Sequence, residues 1–132
     1  MPSLNNRKDE LKGFGSHLTL KKESLLRSEK DFDYVKANGK KFSGRYLIVL
    51  IAESRSGRLK SGFICSKKFS SKAVIRNRAK RIMKEVFRNT KATISPCEVI
   101  LIPKQALLTA NLLEVQEELI VHFKEARKWN IL

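Results

Sequence analysis

The stretch that decides the fold is residues 73–89, which read AVIRNRAKRIMKEVFRN. At 100° per residue its apolar side chains fall within one arc of about 100°; these are Ile75, Ala79, Ile82, Met83 and Val86. The arc predicts an amphipathic helix, about 25 Å long at 1.5 Å per residue, that packs on a sheet.

The opposite side of this helix is strongly basic. Its polar residues are Asn77, Lys80, Arg81, Lys84 and Arg88, with Arg76 and Arg78 near the two flanks of the apolar arc. Residues 55–91 carry 13 basic side chains and one acid, Glu85, within a chain of net charge +15 and pI ≈ 10.2. A plain solvated surface mixes both signs. The block therefore predicts a docking surface for phosphates.

A helix and two strands are predicted before this segment. Ser28 and Asp31 form a capping-box pattern that begins the helix, and Asn38-Gly39 ends it. Residues 45–53 form a strand that is apolar over 46–52, so we expect both its faces to be covered. Residues 59–66 form the next strand. The short connection between these strands predicts an antiparallel hairpin.

A strand and a helix are predicted after the central segment. The strand covers residues 97–102 and is stopped by Pro103, and the helix begins near Asn111 with a second capping-box-like pattern to Glu114. Its expected buried stripe is Leu112, Val115, Leu119, Phe123 and Ala126. We therefore predict a single α/β domain over residues 23–132, preceded by a flexible basic extension over residues 1–22.

Several classes of protein are disfavoured. No apolar run approaches the roughly 20 residues of a membrane helix. The N-terminus lacks the hydrophobic region of a secretory signal, so we expect a cytoplasmic protein. Cys65 and Cys97 are too few for a disulfide framework. We expect both to be buried free thiols, and a single bridge between them stays open.

The candidate catalytic groups are sparse and lie outside the basic block. Of the two histidines, His17 lies in the extension, and His122, in the last helix, is expected to be a surface or packed residue. The acids form two groups, which are Asp31 with Asp33, and Glu114 with Glu117 and Glu118. We interpret the second group as negative charge that is favoured at the start of a helix. Phosphate-loop and zinc spacings are missing. We predict no catalytic residue and no metal site.

Aromatic side chains beside a cationic surface favour single-stranded RNA as the ligand, because bases stack on the rings while the cations contact the phosphates. The candidates are Phe32, Tyr34, Phe63 and Phe69. We expect Phe63 in the core, while Phe32 could lie in the core or at a binding surface. Phe32 and Tyr34 are two positions apart, so on a helix they face different directions.

The pattern Ser66-Lys67-Lys68, followed by Ala-Val-x-Arg-Asn-Arg-x-Lys-Arg over residues 73–81, resembles the signature of the bacterial ribonuclease P protein subunit. The resemblance extends over about residues 20–126. It is supported at Leu26, Phe32, Val35, Gly39, Gly44-Arg45, Gly62-Phe63 and residues 98–104.

The resemblance implies a fold. It is an α+β two-layer sandwich of α-β-β-β-α-β-α type, similar to domain 2 of ribosomal protein S5. A left-handed βαβ crossover, which is a rare connection, surrounds the Arg-Asn-Arg helix.

The resemblance also implies a function. The partners are the catalytic RNA subunit of ribonuclease P and precursor tRNA, whose 5′ leader is removed by the RNA with Mg²⁺; neither a membrane nor DNA is expected. Contacts with the catalytic RNA are implied for Lys67, Lys68, Arg76, Asn77, Arg78, Lys80, Arg81 and Lys84. Leader contacts are implied for Phe32, Tyr34 and Lys36 in a cleft between the first helix and the sheet.

One departure and two alternatives remain at this point. Many members have an aromatic residue where this chain has Lys36, so leader contact here rests more on charge than on stacking. The alternatives are a non-catalytic ribosomal or general RNA-binding protein and an autonomous nuclease. The identity of the RNA that co-purifies with the protein distinguishes the first alternative from a ribonuclease P subunit. Cleavage of precursor tRNA by RNA-free protein would support the second alternative.

Overall fold

The computed structural model describes residues 24–129, so the predicted extension over residues 1–22 lies outside the described part of the chain. Its helices and strands follow the predicted order. They are α1 (Glu29–Asn38), β1 (Lys40–Ser43), β2 (Leu47–Glu53), β3 (Lys60–Phe63), α2 (Ala73–Thr90), β4 (Cys97–Pro103) and α3 (Leu112–Glu125). Short 3₁₀ turns follow α2 at Lys91–Thr93 and β4 at Gln105–Thr109.

The four strands form one mixed sheet in the order β1-β2-β4-β3. β4 is antiparallel to β2 and parallel to β3, and it separates them. The predicted hairpin between β2 and β3 is therefore wrong. The physical reason is burial: β2 and β4 are almost wholly apolar and take the centre, while the short β3 takes an edge position, where Leu25 bridges to Ser61. Helix α2 joins the parallel neighbours β3 and β4, so the expected crossover unit is present, and its left hand stays a prediction.

The main core lies between one face of the sheet and the pair α2 and α3. Val49 and Leu101 of the sheet meet Met83 and Phe87 of α2 and Phe123 of α3. The α2 arc is confirmed at Ala79, Met83 and Val86, all fully buried. In α3 the expected stripe holds at Val115, Leu119 and Phe123, but Leu112 is wrong, because 43% of it is exposed.

Helix α1 packs on the other face of the sheet. The predicted capping box is confirmed, since the Asp31 N–H donates to Ser28 Oγ at 3.2 Å and the Ser28 N–H donates to Asp31 Oδ2 at 3.3 Å. The helix ends at Gly39, where a Cβ would lie 2.5 Å from the Val35 carbonyl oxygen. Val35 is fully buried and packs in a second cluster with Ala52.

This second layer leaves one end of the sheet face less covered. The register partners Ile48 and Ile102 lie at that end and are only half-buried. The prediction that both faces of β2 are covered is confirmed for the face of Leu47, Val49 and Ile51. On the α1 face only Ala52 is buried, and Ile48 and Leu50 are half-buried. Cys65 and Cys97 are free thiols, as predicted; Cys97 is buried as expected, but Cys65 is only half-buried. Within residues 24–129, no helix is both long enough and apolar enough to cross a membrane.

Candidate nucleic-acid interface

The predicted RNA-binding residues lie together on α2 and the turn before it. Lys67 and Lys68 are exposed in that turn. On α2 the exposed members are Asn77, Arg78, Arg81 and Lys84, and the half-buried members are Arg76 and Lys80. Helix α2 begins without a side-chain cap and without an acid in its first turn, so nothing there offsets its positive dipole end. The helix start and the cations add to the same positive potential.

One flank of α2 faces the end of β3. The Arg76 guanidinium donates from Nη1 to the Ser70 carbonyl oxygen at 2.9 Å, which ties the helix to the preceding turn. Lys84 Nζ lies 6.0 Å from the centre of the Phe63 ring. Burial raises the pKa of the Cys65 thiol, and the nearby charges of Lys80 and Arg76 partly offset that rise. Cations therefore line this edge of the core.

The other flank faces the 3₁₀ turn before α3. Arg78 Nη2 donates to the Leu108 carbonyl oxygen at 3.0 Å, so its guanidinium is held in place. By contrast, the side chains of Lys67, Lys68 and Arg81 make no hydrogen bond or ion pair with any other residue of the 24–129 range. The basic face thus combines fixed guanidinium groups with cations available to a partner.

The predicted leader-binding residues are Phe32, Tyr34 and Lys36, and the two aromatic rings among them do not form one stacking surface. The Phe32 ring presses on Gly62, where a Cβ would lie 2.5 Å from Phe32 Cε1. The Tyr34 hydroxyl donates to the Glu53 carbonyl oxygen at 2.9 Å, and the Arg55 guanidinium covers the Tyr34 ring at 4.1 Å from its centre. That face of Tyr34 is not open to a base. Lys36 is exposed on α1.

Arg55 fastens α1 to the sheet, a role that sequence reasoning missed. It contacts the carboxylate of Glu98, which is 1% exposed, through Nη2 at 2.6 Å and through its own backbone N–H at 2.8 Å. Its Nη2 also lies 3.1 Å from Asp31 Oδ1 on α1. Burial would raise the pKa of Glu98, but the hydrogen bonds from Arg55 outweigh this and hold that pKa below its ordinary value. Backbone hydrogen bonds from Arg27 and Ser28, aided by Arg55, also lower the pKa of Asp31.

The sequence-based interpretation of Glu118 is wrong, and that of His122 lacked its contacts. Glu118 does not act as helix-start charge, because its carboxylate accepts hydrogen bonds from three consecutive backbone N–H groups before and at the start of β2. His122 is confirmed as a packed residue and stacks on Phe42 with ring centres 6.1 Å apart. The only sequence signal for Glu98 was an acid inside an apolar strand.

The described carboxylates do not fit a magnesium site. Residues 24–129 contain no group of three or more His, Cys, Asp or Glu side chains able to hold a metal ion. Glu98 and Asp31 are committed to Arg55, and Glu118 is committed to backbone N–H groups. No chemical step can be assigned to a metal held by this part of the protein.

A small α+β fold with exposed cations gathered on one helix and the turn before it is typical of the class of proteins that bind nucleic acids. A family model described as Ribonuclease P matches residues 20–127. The chain belongs to this family of ribonuclease P protein components.

Relatives support the assignment over most of the chain. The ribonuclease P protein component of Chlamydia trachomatis serovar L2 is 37% identical over 112 residues, which cover 84% of this chain and 92% of that protein. The component from an Exiguobacterium species is 30% identical and covers 83% and 96%. These relatives do not favour the ribosomal alternative.

Solved structures support the fold. The ribonuclease P protein of Staphylococcus aureus superposes with a TM-score of 0.68 at 27% identity, covering 81% of this chain and 98% of that one. The protein from Thermotoga maritima gives a TM-score of 0.66 at 28% identity, covering 76% and 96%. The chain is therefore a subunit of an endoribonuclease, and its membership implies an RNA subunit as partner.

Proposed function

We propose that α2 and the turn before it bind the catalytic RNA subunit, while the sheet face beside α1 receives the 5′ leader of precursor tRNA. The observation that carries the proposal is the basic block over residues 55–91, which has 13 cations and one acid. The structure gathers its predicted contact residues on one helix and one turn. Such a surface matches a polyanion in charge.

The charge explains why a protein subunit assists an RNA enzyme. Precursor tRNA docked on a catalytic RNA brings two polyanions together. Cations between them offset the repulsion, and each neutralised phosphate also releases counterions. The guanidinium groups of Arg76 and Arg78 are held by backbone carbonyl oxygens, and Arg geometry suits bidentate phosphate contacts. Asn77 between them can bond a 2′-hydroxyl group or a base edge.

The leader surface rests on the less covered end of the sheet. Ile48 and Ile102 are half-buried there, Phe32 lies at the edge of the α1 contact, and Lys36 adds an exposed charge. Arg55 occupies one face of Tyr34. This arrangement supports leader binding through charge and aliphatic surface, with Phe32 as the main aromatic contact.

In this proposal the RNA subunit cleaves the precursor tRNA with Mg²⁺ that is bound by RNA. The protein acts in the cytoplasm. Protein freed of RNA and incubated with precursor tRNA and Mg²⁺ should therefore leave the substrate intact. Specific 5′ cutting by the protein alone would support the autonomous nuclease instead.

Binding of the RNA subunit can be tested with cations that have no structural partner. The double variant Lys67→Gln with Arg81→Gln removes two charges from the proposed surface. Its matched control, Lys30→Gln with Lys124→Gln, removes two exposed charges from α1 and α3. Arg76 and Arg78 are left intact because they bond to the protein's own backbone.

Filter binding to the RNA subunit is measured across a salt series for both variants. Loss of two phosphate contacts should reduce the slope of log affinity against log salt by about 1.4 to 1.8. The control should keep a slope close to that of the unmodified protein. Equal slopes for the two variants would reject α2 and its turn as the RNA-binding surface.

A further inference from the structure

A groove runs between one flank of α2 and the start of α3. Its volume is about 480 Å³, within the range of about 300–1,000 Å³ that is usual for small-molecule sites. The floor is aliphatic and is formed by Ile82, Leu108, Ala110 and Leu112. Leu112 is 43% exposed at the start of α3, so its apolar surface is open to this groove. The groove therefore presents apolar surface next to the cationic face.

The rim of the same groove is charged. Arg78 and Arg81 line it on the α2 side. Arg78 is already oriented by the Leu108 carbonyl oxygen, so its guanidinium plane is fixed at the rim. A fixed guanidinium can contact a phosphate or stack on a base.

The third charged lining residue is Glu85, the only acid among residues 55–91. An acid on a phosphate-binding face weakens phosphate binding by repulsion. The same carboxylate can, however, accept hydrogen bonds from the amino groups of cytosine, adenine or guanine. Arg88, one turn further along α2, pairs with Glu85 and holds its carboxylate in place.

We infer that this groove binds one unpaired nucleobase of the RNA subunit. The base lies on the aliphatic floor, its phosphate faces Arg78 and Arg81, and its amino edge faces Glu85. Charge complementarity at the rim and an apolar floor together select a nucleotide over a protein segment or a lipid. The inference rests on the proposed function, because it specifies what the α2 surface recognises in its partner.

Neighbouring residues provide a matched pair of variants. Leu112→Ser removes apolar surface from the groove, while Leu113→Ser changes an adjacent residue that is 63% exposed and does not line it. Leu112 would contact the base through aliphatic surface, and replacing it with Ser removes that apolar contact. We expect Leu112→Ser to weaken affinity for the full-length RNA subunit by about five- to tenfold. Leu113→Ser should leave it within about twofold.

The sign of the effect at Glu85 gives a sharper test. General electrostatics predicts that Glu85→Ala strengthens RNA binding, because it removes a negative charge and frees Arg88. The groove proposal predicts weaker binding, because the base loses its acceptor. Glu117→Ala, at an exposed acid of α3, serves as the control and should bind unchanged or slightly tighter.

Chemical probing of base edges on the bound RNA then locates the contact. The unmodified protein should protect one unpaired base, and Leu112→Ser and Glu85→Ala should both lose that protection while Leu113→Ser keeps it. Tighter binding by Glu85→Ala, or protection identical in all variants, would overturn the groove and leave the α2 surface in place. Failure of the unmodified protein to bind the RNA subunit would overturn the inference and the proposed function together.

Discussion

Glu118 holds the start of β2 in place, and replacing it should destabilise the fold by a predictable amount. Its Oε1 accepts from the Arg45 N–H at 2.7 Å, and its Oε2 accepts from the Leu47 N–H at 2.9 Å. The Tyr46 N–H lies 3.1 Å from both oxygens. Gly44 lies beside this carboxylate, and a Cβ there would overlap it and force it to move.

The magnitude follows from which N–H groups lose a partner. Arg45 is exposed, so water replaces the lost hydrogen bond at little cost. Tyr46 and Leu47 are buried, so their N–H groups stay unpaired in Glu118→Ala. At about 1.5–3 kcal/mol for each hydrogen bond to a charged group, the variant should lose about 3–6 kcal/mol of unfolding free energy. Domains of this size commonly have about 5–15 kcal/mol in total, so the loss is large.

Urea unfolding followed by circular dichroism measures this loss, and a double-mutant cycle tests its cause. Gly44→Ala should displace the same carboxylate and cost a similar amount. The two changes together should then cost about as much as either change alone, since both remove the same interaction. The exposed neighbour Glu117→Ala should stay within about 0.5 kcal/mol of the unmodified protein. A loss below about 1 kcal/mol for Glu118→Ala, or strict additivity with Gly44→Ala, would refute the reasoning.

Two further predictions concern α1. Phe32→Leu keeps an apolar side chain over Gly62 but removes the aromatic face, so we expect a higher KM for leader-bearing tRNA and unchanged binding of mature tRNA; equal effects on both would reject the leader contact. Arg55→Ala tests how the free energy of unfolding depends on pH under acidic conditions. The pKa values of Glu98 and Asp31 lie below their ordinary 4.5 and 3.8, so their contribution is complete above those values and is lost as pH falls through the lowered ones. In urea titrations, Arg55→Ala should therefore lose less stability than the unmodified protein on acidification below about pH 4.5, and parallel curves would contradict this.

Local signals in the sequence predicted local structure well. The capping box at Ser28 and the bounds of α2 depend on residues within a few positions of each other, and the structure confirms both. The cationic face of α2 follows from the same 100° periodicity. These features were predictable because their physical causes lie within one helix.

Pairing between distant segments was not predictable in the same way. A hairpin between β2 and β3 agrees with every local signal in the sequence. However, β4, which follows α2 in the chain, lies between these two strands in the sheet. Glu98 and Glu118 likewise find their partners 43 and 71–73 positions away. A single sequence shows that Glu98 is unusual inside an apolar stretch and gives no such signal for Glu118. For neither acid does it show which N–H groups the carboxylate meets.

The two proposed RNA surfaces meet at one end of the sheet, and this joins the fold to the function. Ile64 hydrogen-bonds to the Leu101 carbonyl oxygen at the end where β3 and β4 finish, and the turn carrying Lys67 and Lys68 leaves from there. The less covered face at Ile48 and Ile102 lies at the same end, because Leu47 pairs with Pro103. A leader lying on that face would pass next to the cations that bind the RNA subunit. A hairpin of β2 with β3 would also place this turn at the start of β2. The position of β4 between the two strands is what adds Ile102 to the sheet face beside the turn.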